Sequence, residues 1–526
     1  MTTPKKFSLN DDSVVVIVGS GAGGGTLANE LAQKGINCVI LEAGKHYTQA
    51  DIDNDEWGMF NKISWLDKRI SAGGWHHTKT YPGLPAWIVK GVGGSSVHWA
   101  GLALRFQPHE FKTRSTYGEQ AGTQVMDWPV DYAEMAPFYD LAEKKLGVTG
   151  SAASGLPMLP ENNHYKVIAA GARKIGYKNI VRPMAINSQA YQHRPGCQQI
   201  GFCMQGCKIG AKWSTLYADI PDALGTGKVE LRPQSMALRI EHDAQGKATG
   251  VLYADKNGKQ HFQKARIVCV AGNSIESPRL LLNSASSMFR DGLANSSGQV
   301  GRNYMNHATA AAASIYDKPV YMYRGTSIGA VVADEARHDA ARGFNGGYYL
   351  EGLSLGLPFM AAFMQPGGWG RDFTSAIDLY DHMTCVWVCG EDQAMADNRI
   401  TLHATEKDQY GLPVPVVTKT YTANDDRLAS HGLKQWRALS EAVGAKRVID
   451  MPPYPASHNM GTNRMSEKAR DGVVNRHGQA HDIKNLFVSD GSQFTSSGAC
   501  NPTLTIVALA IRQAGFIENA MKRRDL

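Results

Sequence analysis

The chain has no hydrophobic run long enough to cross a bilayer and no block of basic residues dense enough to mark a nucleic-acid binder. Its apolar stretches at 355–364 and 503–511 are too short to span; Glu351 stands just before the first and Arg512 ends the second. The N-terminal residues carry Lys5 and Lys6 but no apolar segment ahead of the first strand, so a signal peptide is not expected. Cysteine is sparse, eight residues in 526, which excludes a disulfide scaffold, and no zinc-finger spacing occurs. The formal charge of +7 is modest for this length and is compatible with an anionic ligand, an acidic protein or a lipid surface. Against these absences stand 43% hydrophobic and 20% charged residues, the balance of a folded protein long enough for two domains or more.

The densest pattern lies at 13–42. An apolar run, Val14 to Val18, lacks two-residue alternation and so reads as a strand buried on both faces. Gly19-Ser-Gly21-Ala-Gly-Gly24 follows, then a helical stretch to Gly35 and a second apolar strand ending at Glu42. In this order the residues describe a dinucleotide-binding βαβ unit. Gly19 makes the tight turn, Gly21 lets backbone approach a pyrophosphate, and Gly24 lets helix and strand pack closely. Glu42 is placed to accept from ribose hydroxyls.

A second glycine nest, Gly91-Val-Gly93-Gly94-Ser95-Ser96-Val-His98-Trp99, follows a loop-rich region at 45–89. A nicotinamide site does not require it, whereas an extended FAD does, since its flavin end must also be held. His98 is then either a flavin contact, covalent or not, or a structural histidine. Farther on, Ala265 to Gly272 is another buried strand, followed by a helix to Leu282, so the chain returns to the cofactor sheet. Helices are expected at 131–146, 212–223 and 422–443, and short alternating strands at 341–353, 383–389 and 397–402. Cys38 and Cys269 lie inside apolar strands, and Cys385 and Cys389 share one face of another, which favours core packing for all four.

Three C-terminal segments complete the pattern: Ser457-His458-Asn459, Leu486 to Ser492, and Cys500-Asn501-Pro502-Thr503. The strand Leu486 to Val488 delivers Asp490 to the end of the parallel sheet, where open α/β sheets bind ligands. Pro502 and Thr503 open an apolar helix whose positive end suits an electron-rich group such as the N1–C2=O edge of a reduced flavin.

With these motifs in family order over about 13–516, the chain resembles the glucose-methanol-choline oxidoreductases, nearest the large flavoprotein subunits of bacterial glucose, gluconate and fructose dehydrogenases. Asn306 before His307 replaces the family's usual acid, and Thr495 stands in a usual proline position. The resemblance implies a Rossmann-like α/β FAD-binding domain with an inserted substrate domain on a mostly antiparallel sheet with helices. The expected division is 1–113, 212–310 and 456–526 for FAD binding, 114–211 as a connecting cysteine-containing segment, and 311–455 for substrate. It also implies His458 as the base for the hydroxyl proton and Asn501 as the residue that orients the substrate oxygen, while His307, His477 and His481 are expected to be structural.

The implied reaction is oxidation of an alcohol, such as a sugar, sugar acid or polyol, with electrons passed to a quinone or cytochrome; an oxidase using O₂ is the alternative. Cys197, Cys203 and Cys207 match the three thiolates that hold a [3Fe–4S] cluster in the glucose dehydrogenase type, although Gln198 replaces an adjacent cysteine. A structural loop with free thiols is the other reading. The resembling complexes add a small chaperone-like subunit that carries the export signal. The expected compartment is therefore the cytoplasm, or the periplasmic membrane surface through such a partner.

Overall fold

The protein is described by a computed structural model that covers residues 6–55, 88–357, 360, 369–451 and 457–526. Most of the loop region expected at 45–89, and the apolar stretch at 355–364 beyond 357 except residue 360, lie outside these described residues. Five parallel strands form the central sheet, in the order Leu486–Val488, Ile267–Val270, Val15–Val18, Cys38–Leu41 and Val229–Arg232. Val14, Val16 and Val18 enter one apolar cluster, while Val15 and Ile17 enter another, so this sheet is covered on both faces. That is why its strands carry no polar alternation. The helix Ala22–Gln33 and the last helix, Thr503–Lys522, cover one face together through Leu27, Ala28, Leu31, Ala510, Ala514 and Ile517.

A second sheet of six antiparallel strands has the order Arg447–Met451, Ala308–Ile315, Met383–Gly390, Tyr348–Leu353, Ile328–Val332 and Ile180–Val181. Its two faces differ in purpose. Tyr348, Leu350, Val386 and Val388 pack with Leu428, Trp436 and Leu439 of the helix Ala423–Ala442, which a Thr422 capping box starts. The alternate residues Glu351, Cys385, Trp387 and Cys389 therefore face the other way, and Glu351 is directly opposite Trp387. A three-stranded sheet (Met236–His242, Ala248–Ala254, Gln260–Lys264) and a hairpin (Arg399–Lys407, Pro413–Thr418) flank the core. No helix among the described residues is long and apolar enough to cross a membrane.

One expectation needs adjustment, and one strand was not expected. The helix placed at 212–223 begins only at Asp219, because residues before it are tied to other segments: the Trp213 N–H donates to Ala185 O, and the Thr215 side-chain hydroxyl to Ser20 O. The strand Ile328–Val332 had no alternation to announce it, being buried throughout.

The substrate-side sheet is joined to the C-terminal loops by a buried ion pair. Lys419 Nζ donates to Asp392 Oδ2 at 2.6 Å, with both side chains almost wholly enclosed. Asp392 also accepts from Asn306 N, and its own N–H donates to Ser497 Oγ. Lys419→Met leaves that carboxylate without its cation, so unfolding in urea should show a loss of about 3–5 kcal/mol.

Candidate active site

One crevice of about 260 Å³ runs from Glu42, at the end of the second parallel strand, past the two glycine turns to His458 and Asn501. Its first end is built by the βαβ unit. Gly19 turns the chain with φ +101°, which L residues rarely adopt, and Gly24 packs so tightly that a Cβ would stand 2.1 Å from Gly19 O. The helix that follows has Gly21 at its N-cap and no side-chain cap, so its first N–H groups face the crevice. Glu42 Oε2 accepts from Ser20 N and Oγ, and Oε1 from Gly44 N. Burial raises its carboxyl, against the pull of those bonds.

The second nest meets the first. A Cβ on Gly94 would stand 2.9 Å from the Gly21 Cα, and Gly93 N donates to Ser20 Oγ at 3.1 Å. Gly94, Ser95, Ser96 and His98 line the crevice, while Gly24 and Gly93 stand behind its wall. His98 is buried, its Nδ1 is 2.8 Å from Met204 O, and desolvation lowers its pKa to about 3. Lys212, not among the residues expected at the site, pins this turn: its buried ammonium donates to Val97 O, Trp99 O and Cys203 O. Three carbonyls thus satisfy a cation that burial alone would neutralise.

Asp490 ties the C-terminal strand to the second βα junction. One oxygen accepts from Asn273 N and Ser277 Oγ, the other from Ser492 N and Oγ. Asn501, Pro502 and Thr503 line the crevice at the N-terminus of the last helix, which also lacks a side-chain cap. These parts fit an extended dinucleotide. The uncapped helix end and paired glycine turns suit a diphosphate, Glu42 suits ribose hydroxyls, and the positive end at Pro502 suits an anionic ring edge.

At the far end, Asn501 Nδ2 lies 3.5 Å from His458 Nε2 and 3.4 Å from Glu351 Oε2. His458 Nδ1 lies 3.1 Å from His307 Nδ1, which is 2.9 Å from Cys389 Sγ. Trp387 packs against the His458 ring at 4.8 Å. Desolvation, and secondarily His307, hold the His458 pKa well below its ordinary value. His307, Glu351, Trp387 and Cys389 are thus gathered here, whereas His477 stacks on Phe516 and His481 contacts Ser466. The one available signal was Glu351, a carboxylate inside an otherwise uncharged buried strand.

Cys197, Cys203 and Cys207 lie outside the crevice wall, although Met204 between them reaches it. Cys197 Sγ accepts from Gln199 N at 3.4 Å and Cys207 Sγ from Lys212 N at 3.5 Å. Burial, with the nearby Cys203 and Cys207, raises the Cys197 thiol to about 11. Among the described residues, these thiols form no group of three ligand atoms within 4.8 Å of one another.

The parallel sheet with its glycine turns, joined to an antiparallel-sheet domain across one crevice, defines a dinucleotide-binding α/β protein. Two family models described as GMC oxidoreductase match residues 72–309 and 394–510. The chain is 31% identical to 2-methyl-1,2-propanediol dehydrogenase of Mycolicibacterium austroafricanum, covering 96% of this chain and 95% of that protein. It is 29% identical to the fructose dehydrogenase large subunit of Gluconobacter japonicus (97% and 98% covered). It is 28% identical to paromamine 6'-oxidase of Streptomyces fradiae (98% and 93% covered). Formate oxidase shares the fold, with a TM-score of 0.67 at 16% identity over 97% of this chain and 99% of that one. The chain belongs to the GMC oxidoreductase family, FAD-dependent enzymes that act on CH–OH groups.

Proposed function

We propose that the chain oxidises a small alcohol, a sugar, sugar acid or polyol, at the end of the crevice bounded by His458 and Asn501. The observation that carries this reading is the approach of Asn501 Nδ2 to His458 Nε2 at the crevice wall. FAD, when bound along Glu42, Gly21, Gly94 and Pro502, supplies the hydride acceptor. His458 Nε2 takes the hydroxyl proton: its Nδ1 is engaged with His307, and its lowered pKa keeps the ring unprotonated, with a lone pair free to accept. Asn501 hydrogen-bonds the substrate oxygen and, having no titratable proton, leaves the base role to His458. In this reading 1–113, 212–310 and 456–526 form the FAD-binding region and 311–455 the substrate domain.

An anaerobic panel of alcohols, sugars and polyols, read by flavin bleaching, tests the proposal; bleaching by none of them overturns it. The pH profile gives a second check. A base whose pKa is depressed stays competent below the ordinary imidazole value of 6.5, so the acid limb of the reduction rate should fall below that pH. A limb at or above 6.5 would assign the proton to another group.

Two electron acceptors have support. Delivery to a quinone or cytochrome rests on the dehydrogenase relatives and on the cysteine loop, which touches the His98 turn through Met204. In that reading Cys197, Cys203 and Cys207, whose sulfurs are not gathered within 4.8 Å of one another here, would hold a [3Fe–4S] cluster that supplies one-electron transfer, and a small chaperone-like subunit and a membrane-surface location would go with it. Delivery to O₂ rests on the paromamine 6'-oxidase relative. Iron and acid-labile sulfide in cluster proportions without peroxide support the first; peroxide equal to substrate consumed, in iron-free protein, supports the second.

A further inference from the structure

Glu351 is left unused by the proton and hydride steps. It stands in the strand Tyr348–Leu353 on the face that fronts the crevice, opposite Trp387, and its side chain is about as enclosed as any in the core. Oε2 receives the long bond from Asn501 Nδ2, but the buried Oε1 has no hydrogen-bond partner among the described residues. Asn501 Oδ1 is in the same condition. Two unpartnered buried oxygens, on residues whose other polar atoms approach to 3.4 Å, cost stability unless a ligand donates to them.

We propose that Glu351 binds a second hydroxyl of the substrate, next to the one oxidised, so that the pocket selects vicinal diols over simple alcohols. The inference rests on the alcohol-oxidising reading above and narrows its substrate class. His458 Nε2 and Glu351 Oε2 both lie within 3.5 Å of one amide nitrogen, that of Asn501. Two hydroxyls on adjacent carbons, each making one hydrogen bond, span such a gap. A single hydroxyl reaches one anchor and leaves the other unpaired. Around them Trp387, Ile328 and Leu353 offer apolar wall for the carbon chain.

A hydroxyl suits this carboxyl better than an ammonium does. Burial pushes Glu351 up to about 8, so at neutral pH it is largely the uncharged acid, able to donate as well as accept. A cationic partner would need the ionised form in a place that resists ionisation.

The test uses the FAD-loaded enzyme and matched pairs, 1,2-propanediol with 1-propanol and 1,2-butanediol with 1-butanol, plus 1-amino-2-propanol. Anaerobic stopped-flow bleaching gives a reduction rate and an apparent Kd for each. For wild type the diol should be favoured by about tenfold or more, mainly through Kd. Glu351→Ala should bring the diol-to-monoalcohol ratio close to one, and Glu351→Gln, which still donates and accepts, should keep most of it. The ratio is the readout, so a general loss of rate in a variant cancels. Should the alanine protein fail to take up flavin, Glu351→Met fills the space without polar atoms and carries the same expectation. A wild-type ratio of one, an unchanged ratio in Glu351→Ala or Glu351→Met, or preference for the amino alcohol each overturns the inference while alcohol oxidation stands. Bleaching by neither member of any pair, nor by the wider panel, overturns both.

Discussion

Replacing His458 with alanine should leave FAD bound and slow substrate-driven flavin bleaching by about 10²–10⁴-fold. The reasoning begins with the two ring nitrogens. Nδ1 is held by His307 Nδ1 at 3.1 Å, and Nε2 faces the Asn501 amide and the crevice. Asn501 Nδ2 is a donor, so Nε2 carries the lone pair and Nδ1 the proton, with His307 accepting. That tautomer presents a base toward the place where a hydroxyl is held. Charge developing on the ring during proton transfer is spread toward His307, which burial also keeps neutral, with a pKa of about 4. No other described ring nitrogen borders both Asn501 and the crevice. Flavin content measured on the purified variant separates a failed reaction from a failed fold, because the contacts of His458 are with His307, Asn501 and Trp387 and not with Glu42 or the glycine turns. Bleaching near the wild-type rate in a flavin-replete His458→Ala protein would remove this residue from the mechanism.

Why the cofactor end was legible in the sequence, and much of the substrate end was not, has a physical answer. Gly19, Gly21, Gly24 and Glu42 act through backbone shape and a strand-end carboxylate, both fixed by local spacing within one βαβ unit. The buried strands Ile267–Val270 and Leu486–Val488 were equally readable, because an unbroken apolar run has few other uses. The cluster around His458 is assembled from five separate segments, and nothing local ties His307, Glu351, Trp387 and Cys389 together. Cys389 was expected to be core, and it is buried; its contact with His307 depends on strand pairing that spacing alone does not reveal. His307 was expected to be structural, yet it touches the ring proposed as the base. Lys212 escaped notice for the same reason, since two of its three carbonyl partners, Val97 and Trp99, come from a distant turn.

The glycine turn separates two kinds of necessity, and two alanine substitutions should tell them apart. Gly21 has φ −67° and ψ −166°, a conformation alanine adopts freely, and its added Cβ would meet nothing nearer than the Gly94 Cα at 3.9 Å. Gly21→Ala should therefore change the stability of the cofactor-free protein by no more than about 1 kcal/mol. The methyl group instead fills the space between two nests of backbone donors, where a diphosphate must lie against bare chain. FAD affinity should fall by about 10- to 100-fold, the cost of overpacking a site that cannot yield. Gly23, two residues on, has the opposite character. Its Cβ would stand 1.5 Å from Ser489 O and 2.7 Å from the carbonyl carbon, at the end of the strand Leu486–Val488. Neither backbone can give way without parting the first helix from the sheet, and Ser489 N is itself bonded to Val270 O within that sheet. Gly23→Ala should lose more than about 5 kcal/mol, enough to leave little folded protein to load with flavin. Urea unfolding of the flavin-free proteins, with FAD titration of whichever fold, distinguishes the cases. A Gly21→Ala protein that binds FAD as tightly as wild type would show that this turn does not cradle the cofactor, because its own fold gives the methyl group room.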